Sequence, residues 1–450
     1  MELKQEETIS AISTAAGEGG IGIVRLSGRT ALEIGDKIFR SLNGRRLVDM
    51  EDRKMILGHV IDGSARTIDE VMAVMMRAPH SYTCEDVVEF HCHGGLIVLR
   101  NVLSRTLEAG ARLAERGEFT KRAFLNGRLD LSQAQAVLDI IQSKTDAALE
   151  LAEHRLAGSD ELKELRQKLI DADAHIEAVI DFPEDDLEGV ELDRIDRTAA
   201  DVIGRLDEML ATETSGRIMR EGLQTAIIGK PNVGKSSLLN YLLKSERAIV
   251  TDIPGTTRDS IEEYADIEGI PLRIIDTAGI RAASDEVERI GIERARDHAQ
   301  RAELILALID GSTPLTSEDE EIFKLIDGRD AIILLTKSDL PRAVELDKKF
   351  ISISIKNGEG LDELKRAIVE RAGLPSNREL NVVRDAREAD ALRRARKHLT
   401  EARDTIKMNI GIDFVSIDFR SALAALGELT GETVDEAIID EIFSKFCVGK

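Results

Sequence analysis

Gly229-Lys230-Pro231-Asn232-Val233-Gly234-Lys235-Ser236 fits the pattern G-x-x-x-x-G-K-S, between the apolar run Gln224 to Ile228 and the helical stretch Ser237-Leu238-Leu239-Asn240. Glycines permit a tight loop whose backbone N–H groups surround phosphates, and the following helix start adds a favourable dipole. In such a loop Lys235 reaches the β- and γ-phosphates and Ser236 ligates magnesium. Downstream, Gly255-Thr256-Thr257-Arg258-Asp259 offers Thr257 as a second magnesium ligand that senses the γ-phosphate. Asp276-Thr277-Ala278-Gly279 ends another apolar run, which places Asp276 to hold magnesium through water. In Thr336-Lys337-Ser338-Asp339 the aspartate can accept from both N1–H and the exocyclic amine of guanine, a pair adenine does not present. Ser354-Ile355-Lys356 completes the base pocket. These boxes, in order and each after a strand, predict GTP and GDP binding with Mg2+. Asn is commoner where Thr336 stands, so some pocket contact is expected to be lost, with guanine choice resting on Asp339.

The hydrolytic group is less plain. The position where Ras-like proteins carry a water-orienting glutamine is Ile280, which cannot hydrogen-bond water. The acidic helix start Ser284-Asp285-Glu286-Val287-Glu288-Arg289 supplies several candidate carboxylates, or merely complements a helix dipole. Asn232 is a further candidate: its side-chain carbonyl could ligate a monovalent cation that stabilises developing phosphate charge, or it could simply brace the loop.

Alternating strands and helices must carry these boxes. The apolar runs 224–228, 272–275, 304–309, 331–335 and 350–354 read as strands of a parallel α/β unit beginning near Gly222. Before it, 123–157 has apolar residues at helical spacing, with Ser132 as a helix start, and helical patterning continues over 160–180 and 191–215. Helix returns after Pro375. Helix on both sides suggests one helical domain with the α/β unit inserted, two separate bundles being the alternative. The first 120 residues mix short strands, notably Ile21–Leu26 and Glu70–Met76, with glycine turns.

The 450 residues suffice for two or three domains. A net charge of −23 argues against coating nucleic acid through phosphate contacts alone, and 3% aromatics argue against a base-stacking platform; neither excludes an RNA substrate. No apolar run is long enough for a membrane span, Met1 to Ser10 does not resemble a secretory signal, and three scattered cysteines favour a reducing compartment. A cytoplasmic location is expected.

Smaller constellations leave alternatives open. His91-Cys92-His93 with Cys84 is either a metal site or a buried strand beside a glycine turn. Cys447 is either a thiolate that adds to carbon 6 of a uridine or a small apolar anchor for the tail. The basic run Arg384, Arg387, Arg393, Arg394, Arg396 and Lys397 could touch RNA, but its interleaved acids suit a solvated helix face.

Taken together the chain resembles the tRNA-modification GTPase family MnmE (TrmE) over essentially its whole length. The resemblance is carried by Gly19 to Gly28, Tyr82-Thr83-Cys84-Glu85-Asp86 with His93-Gly94-Gly95, Gly117 to Thr120 with Ala123 to Asn126, and Asp181-Phe182-Pro183. It is carried further by Pro231 to Ser237, the Thr251 to Asp259 loop, Ala283 to Glu293, and the terminal Phe446-Cys447-Val448-Gly449-Lys450. It implies a folate-binding-like and dimerising α+β domain (1–120), a discontinuous helical domain (121–216 and 376–450) and an inserted P-loop G domain (217–375). It further implies a homodimer that joins the flavoprotein MnmG (GidA) in a heterotetramer and modifies carbon 5 of the wobble uridine of certain tRNAs. The added group would be aminomethyl or carboxymethylaminomethyl, made with GTP and 5-formyltetrahydrofolate or a related one-carbon folate.

On the same resemblance, Asn232 matches a potassium ligand, with Thr251, Ile253 and Thr256 completing the K+ shell. Glu288 matches the acid that orients the hydrolytic water. Nucleotide contacts extend over Asn232, Val233, Gly234, Lys235, Ser236, Ser237, Thr251, Thr256, Thr257, Asp276, Thr277, Ala278, Gly279, Thr336, Lys337, Asp339, Ser354, Ile355 and Lys356. Arg25, Glu89, Arg128 and Lys450 match folate contacts, with Arg128 standing where some relatives carry lysine. The G domain alone would also suit a ribosome-assembly or regulatory switch GTPase.

Overall fold

The computed structural model describes residues 7–15, 17–158, 160–181, 188–245, 263–275, 299–373 and 382–450. They divide into two compact units, one of residues up to Leu138 together with Gly427–Lys450, the other of Asp139–Leu426. Among the described residues no helix is long and apolar enough to cross a membrane.

The first unit is built on a seven-stranded sheet. Its strands are β1 (Ile9–Ile12), β2 (Gly19–Ser27), β3 (Phe39–Ser41), β4 (Ile56–Ile61), β5 (Thr67–Met76), β6 (Val87–Gly94) and β7 (Arg112–Leu113), in spatial order β3-β4-β5-β6-β2-β1-β7. Every pairing is antiparallel except that of β1 with β7. Alternation sorts the faces: Val24, Leu26, Phe90 and Cys92 join the core with helices α1 (Ala31–Ile38) and α2 (Leu96–Glu108), whereas Arg25 and Glu89 sit opposite one another on the other face. Helix α3 (Glu118–Leu125) follows Gly117, which holds φ +65; a Cβ there would meet the Phe443 carbonyl at 2.6 Å, so only glycine fits. Late in the chain, α14 (Glu436–Ser444) supplies Phe443 to a cluster with Leu131, Leu138 and Phe446.

The second unit holds a six-stranded sheet. Strands β8 (Leu223–Gly229), β9 (Glu263–Ile267), β10 (Ile270–Ile274), β11 (Leu304–Asp310), β12 (Ala331–Thr336) and β13 (Ile351–Ser352) lie in the order β13-β12-β11-β8-β10-β9. All pair in parallel except β9, which turns back on β10. That hairpin is an addition to the parallel unit expected from sequence, and the strand expected over 350–354 shrinks to two residues. Apolar clusters cover both faces, Ile227, Leu306 and Leu334 on one and Ala226, Ile228, Ile305 and Ile333 on the other. Around the sheet stand α9 (Lys235–Ser245), α10 (Ser317–Ile326) and α11 (Leu361–Ala372).

Helices that precede and follow the sheet in sequence pack together: α7 (Glu188–Ala211) lies along α12 (Ala386–Met408), pinned by Arg403 Nε–Asp196 Oδ1 at 2.7 Å and Arg396–Asp207. The helical domain is therefore discontinuous, with the six-stranded sheet and its helices inserted. It also includes α6 (Asp160–Asp181), α8 (Glu213–Glu221) and most of α13 (Ile412–Thr430).

The helical spacing over 123–157 is shared among three helices, and one expected helix start needs correction: α3 ends at Leu125, α4 spans Leu131–Gln142 and α5 spans Asp146–Ala157. Helix α4 starts from Asp130 rather than Ser132, because Asp130 Oδ1 accepts from the Gln133 N–H (2.8 Å) while Gln133 Oε1 accepts from the Asp130 N–H (2.9 Å). Helix α5 starts at Thr145, whose hydroxyl oxygen accepts from the Ala148 N–H and donates its own proton to the Gly269 carbonyl in the β9–β10 turn.

Candidate nucleotide-binding site and a second polar cradle

Strand β8 ends at Gly229, where a Cβ would stand 2.8 Å from the Leu308 carbonyl of the neighbouring strand. The chain then loops back through Asn232, at φ +59, into the first residue of α9, Lys235. Lys235 Nζ donates to the carbonyls of Gly229 (2.7 Å) and Lys230 (2.8 Å). Burial lowers its pKa, against the opposing pull of Glu318. Val233 is buried, while Asn232, Ser236 and Ser237 are exposed.

Of the residues expected to read the base, Thr336 and Ile355 reach this loop. Thr336, at the end of β12, points its hydroxyl at the Val233 carbonyl (2.9 Å) and the Ile309 carbonyl (3.2 Å). The Thr336 hydroxyl thus bridges the phosphate-loop side and the neighbouring strand β11. Lys337, at φ +63, reaches back to Asp310 Oδ2 at 2.6 Å. The Asp310 carboxyl is held low: burial raises its pKa, but Lys337 and Ser312 outweigh it. Exposed Asp339 receives the hydroxyl of buried Ser354 at 3.0 Å. Ile355 is half-buried, its Cδ1 3.8 Å from where a Cβ on Gly234 would be, and Lys356 is exposed. Thr251, Ile253, Thr256, Thr257, Asp276, Thr277, Ala278, Gly279 and Glu288 lie outside the described residues. Sequence gave no reason to single out Asp319, a buried acid that receives Lys230 Nζ at 2.8 Å.

In the first unit the residues likened to folate contacts form a cationic, aromatic cradle. Arg25 Nε donates to Glu89 Oε1 at 2.7 Å, and its guanidinium stands 5.8 Å from the Tyr82 ring centre and 5.6 Å from that of Phe119. Arg128 lies 4.8 Å over the same Tyr82 ring and donates to the Tyr82 carbonyl at 2.8 Å. The Lys450 amine has its pKa lowered by burial and then by Arg25. The carbonyls of Cys447 and Lys450 accept from the N–H groups of Gly117 and Phe119, seating the tail at the start of α3, and Cys447 itself is exposed. Tyr82, which both arginines face, is the member that motif reading undervalued; an aromatic beside scattered cations was the available signal.

The other constellations also resolve. His91 faces Glu89 at 3.2 Å and His93 Nδ1 faces Asp69 Oδ1 at 2.7 Å, while Cys92 joins the core with its thiol pushed up to about 12 by burial. Arg393, Arg394, Arg396 and Lys397 pair with nearby acids. Arg384 is not on a solvated face: its guanidinium is buried against Asp139, with Nε–Oδ2 at 2.7 Å and Nη2–Oδ1 at 2.8 Å.

A largely parallel sheet with a Gly-rich loop after its first strand and a Lys-x-Asp loop after a later one, set inside a helical domain, defines a P-loop G domain protein of composite build. The family described as "MnmE helical domain" matches residues 131–447, and that described as "GTP-binding protein TrmE N-terminus" matches residues 8–128. The tRNA modification GTPase MnmE of Geobacillus kaustophilus is 48% identical, and that of Alkaliphilus metalliredigens 47%, each alignment covering 99% of both chains. The G domain of the T. maritima FeoB iron transporter is 28% identical over 33% of this chain and 97% of its own, with a TM-score of 0.25. The chain belongs to the MnmE (TrmE) family of tRNA modification GTPases.

Proposed function

We propose that this chain hydrolyses GTP to GDP and phosphate in the service of tRNA modification. With the flavoprotein MnmG, it adds an aminomethyl or carboxymethylaminomethyl group to carbon 5 of the wobble uridine, drawing on a one-carbon tetrahydrofolate. The observation that carries this reading is identity near one half along the whole chain, joined to a Gly229–Ser236 loop that the base-reading residues approach from β12.

The described residues of the loop fit a magnesium nucleotide. Ser236 at the start of α9 would supply a hydroxyl for Mg2+, alongside Thr257 and, through water, Asp276, and Lys235 would supply a cation for the β- and γ-phosphates. Bound magnesium neutralises charge that develops on the phosphates. Asn232, exposed and turned by its positive φ, suits a K+ ligand shared with Thr251, Ile253 and Thr256. Ile280 cannot hold the hydrolytic water, and among the carboxylates of Asp285, Glu286 and Glu288 the family resemblance favours Glu288 for that role. The cradle in the first unit suits a folate: Arg25, Arg128 and Lys450 favour its carboxylates, Tyr82 offers a ring face, and Glu89 can accept from a pterin amine. A homodimer joined to MnmG in the cytoplasm completes the reading, with domains at 1–120, 121–216, 217–375 and 376–450, and Cys447 a candidate nucleophile toward uridine.

Reconstitution with MnmG, tRNA, the folate and GTP, in potassium and in sodium buffers, tests it. The expected result is modified uridine made only with all components and faster GTP hydrolysis in potassium. Unmodified tRNA in the full mixture overturns the modification role, and equal hydrolysis in both cations overturns the selective role of Asn232.

A further inference from the structure

A buried carboxylate stands behind the phosphate loop. Asp319, on α10 and 0% exposed, receives Lys230 Nζ at 2.8 Å, and Lys230 is itself 13% exposed. The same oxygen, Oδ2, accepts the N–H and the hydroxyl of Thr316, each at 2.9 Å, so Asp319 also closes the capping box of α10. Its other oxygen, Oδ1, is buried and has no hydrogen-bond partner among the described residues. A carboxylate placed this way is costly unless a cation neutralises it, and Lys230 is that cation.

Lys230 has a second role through its backbone. Its carbonyl, together with that of Gly229, receives the Lys235 ammonium. One residue therefore joins α10 by its side chain to the loop lysine by its main chain. A buried ion pair adds little net stability over an apolar pair of the same size. What it adds here is an anchor: the Lys230 side chain is tethered to α10 at the same residue whose carbonyl accepts from Lys235.

We propose that Lys230 and Asp319 are a positioning pair for phosphate binding, acting through the Lys230 carbonyl on the ammonium of Lys235. The inference rests on the nucleotide reading above and names residues of the same site. Because Lys235 serves the β- and γ-phosphates, the pair governs affinity for ligands that carry a β-phosphate and leaves recognition of the base alone.

Affinities for GDP and GMP, with KM and kcat for GTP, are measured on the full chain for Lys230→Met, Lys230→Arg and Asp319→Asn. Lys230→Met is expected to weaken GDP and raise the KM for GTP about tenfold, with kcat changed less than about twofold. GMP, lacking the β-phosphate, is expected to lose less than about threefold, and Lys230→Arg to stay within about threefold of the parent for every ligand. Asp319→Asn keeps an acceptor for the Thr316 cap and is expected to follow Lys230→Met. Equal losses for GMP and GDP, unchanged GDP affinity, or a fall in kcat at constant KM each overturn the proposal. A parent chain that binds these nucleotides without hydrolysing GTP overturns the hydrolase reading instead, and the GDP-to-GMP comparison still judges the pair.

Discussion

The Thr336 hydroxyl lies 2.9 Å from the carbonyl of Val233, a bond that ties the base-reading strand to the phosphate loop. Thr336 is 2% exposed, so water cannot replace it. Thr336→Val keeps the shape and removes the donor. A buried acceptor left unmade costs about 1–2 kcal/mol, which is roughly tenfold in affinity. GDP binding followed by fluorescence is expected to weaken by that factor, with the GTP-over-ATP preference intact; unchanged affinity would show that the tie is idle.

Guanine choice is expected to travel with Asp339. Its carboxylate is braced by Ser354; on the proposed reading it would accept from two donors of the base, and charged hydrogen bonds are worth about 1.5–3 kcal/mol each. Asp339→Asn presents an amide donor instead, which suits the extra carbonyl of xanthine. Hydrolysis assays are expected to show GTP losing at least about tenfold in kcat/KM while xanthosine triphosphate gains.

Arg384 and Asp139 form a bidentate pair with exposures of 9% and 12%. Removing the cation alone strands a buried charge. Arg384→Met is expected to destabilise the second unit by about 3–5 kcal/mol in urea unfolding, and adding Asp139→Leu to recover most of that loss. A double variant no better than the single one would place the damage elsewhere, for example at the Asp385 contact that Arg384 also makes.

Glu118 contributes to the acid response of the first unit. Burial pushes its pKa up, but Arg112, the Glu115 N–H and Arg122 together hold it below the ordinary value. A depressed carboxylate contributes stability that is fully present above the unfolded pKa of about 4.3 and is lost as pH falls through the lower folded value. Glu118→Gln is therefore expected to lower the unfolding midpoint at pH 7 and to flatten its decline between pH 5 and pH 2. An unaltered pH profile would contradict the assignment.

The Gly229–Ser236 loop between β8 and α9 was legible in the sequence because its signal is local. A loop around phosphate needs glycine where backbones close up, as Gly229 does against Leu308, and that need is written in adjacent residues. The discontinuous helical domain was legible from helix on both sides of the sheet. Arg384 was misjudged because its partner lies 245 residues away, and a period count cannot see across that distance. Asp130-x-x-Gln133 is a readable capping box that the nearby serine obscured. Thr316-x-x-Asp319 likewise marks the start of α10, but nothing local ties it to Lys230. The antiparallel β9 alternates buried Glu263, Ala265 and Ile267 with half-buried neighbours, a pattern with no long apolar run to announce it.

The division of the first unit between the two ends of the described chain bears on how it is made. Phe443 and Phe446 belong to the cluster around Leu131 and Leu138, and Gly117 is shaped to admit the Phe443 carbonyl. Residues 139–426 must be synthesised before those partners exist. At roughly 5–20 residues per second, that interval lasts on the order of 15–60 s. During it the nascent first unit carries an open apolar face, so the inserted unit has time to fold before the earlier one is sealed.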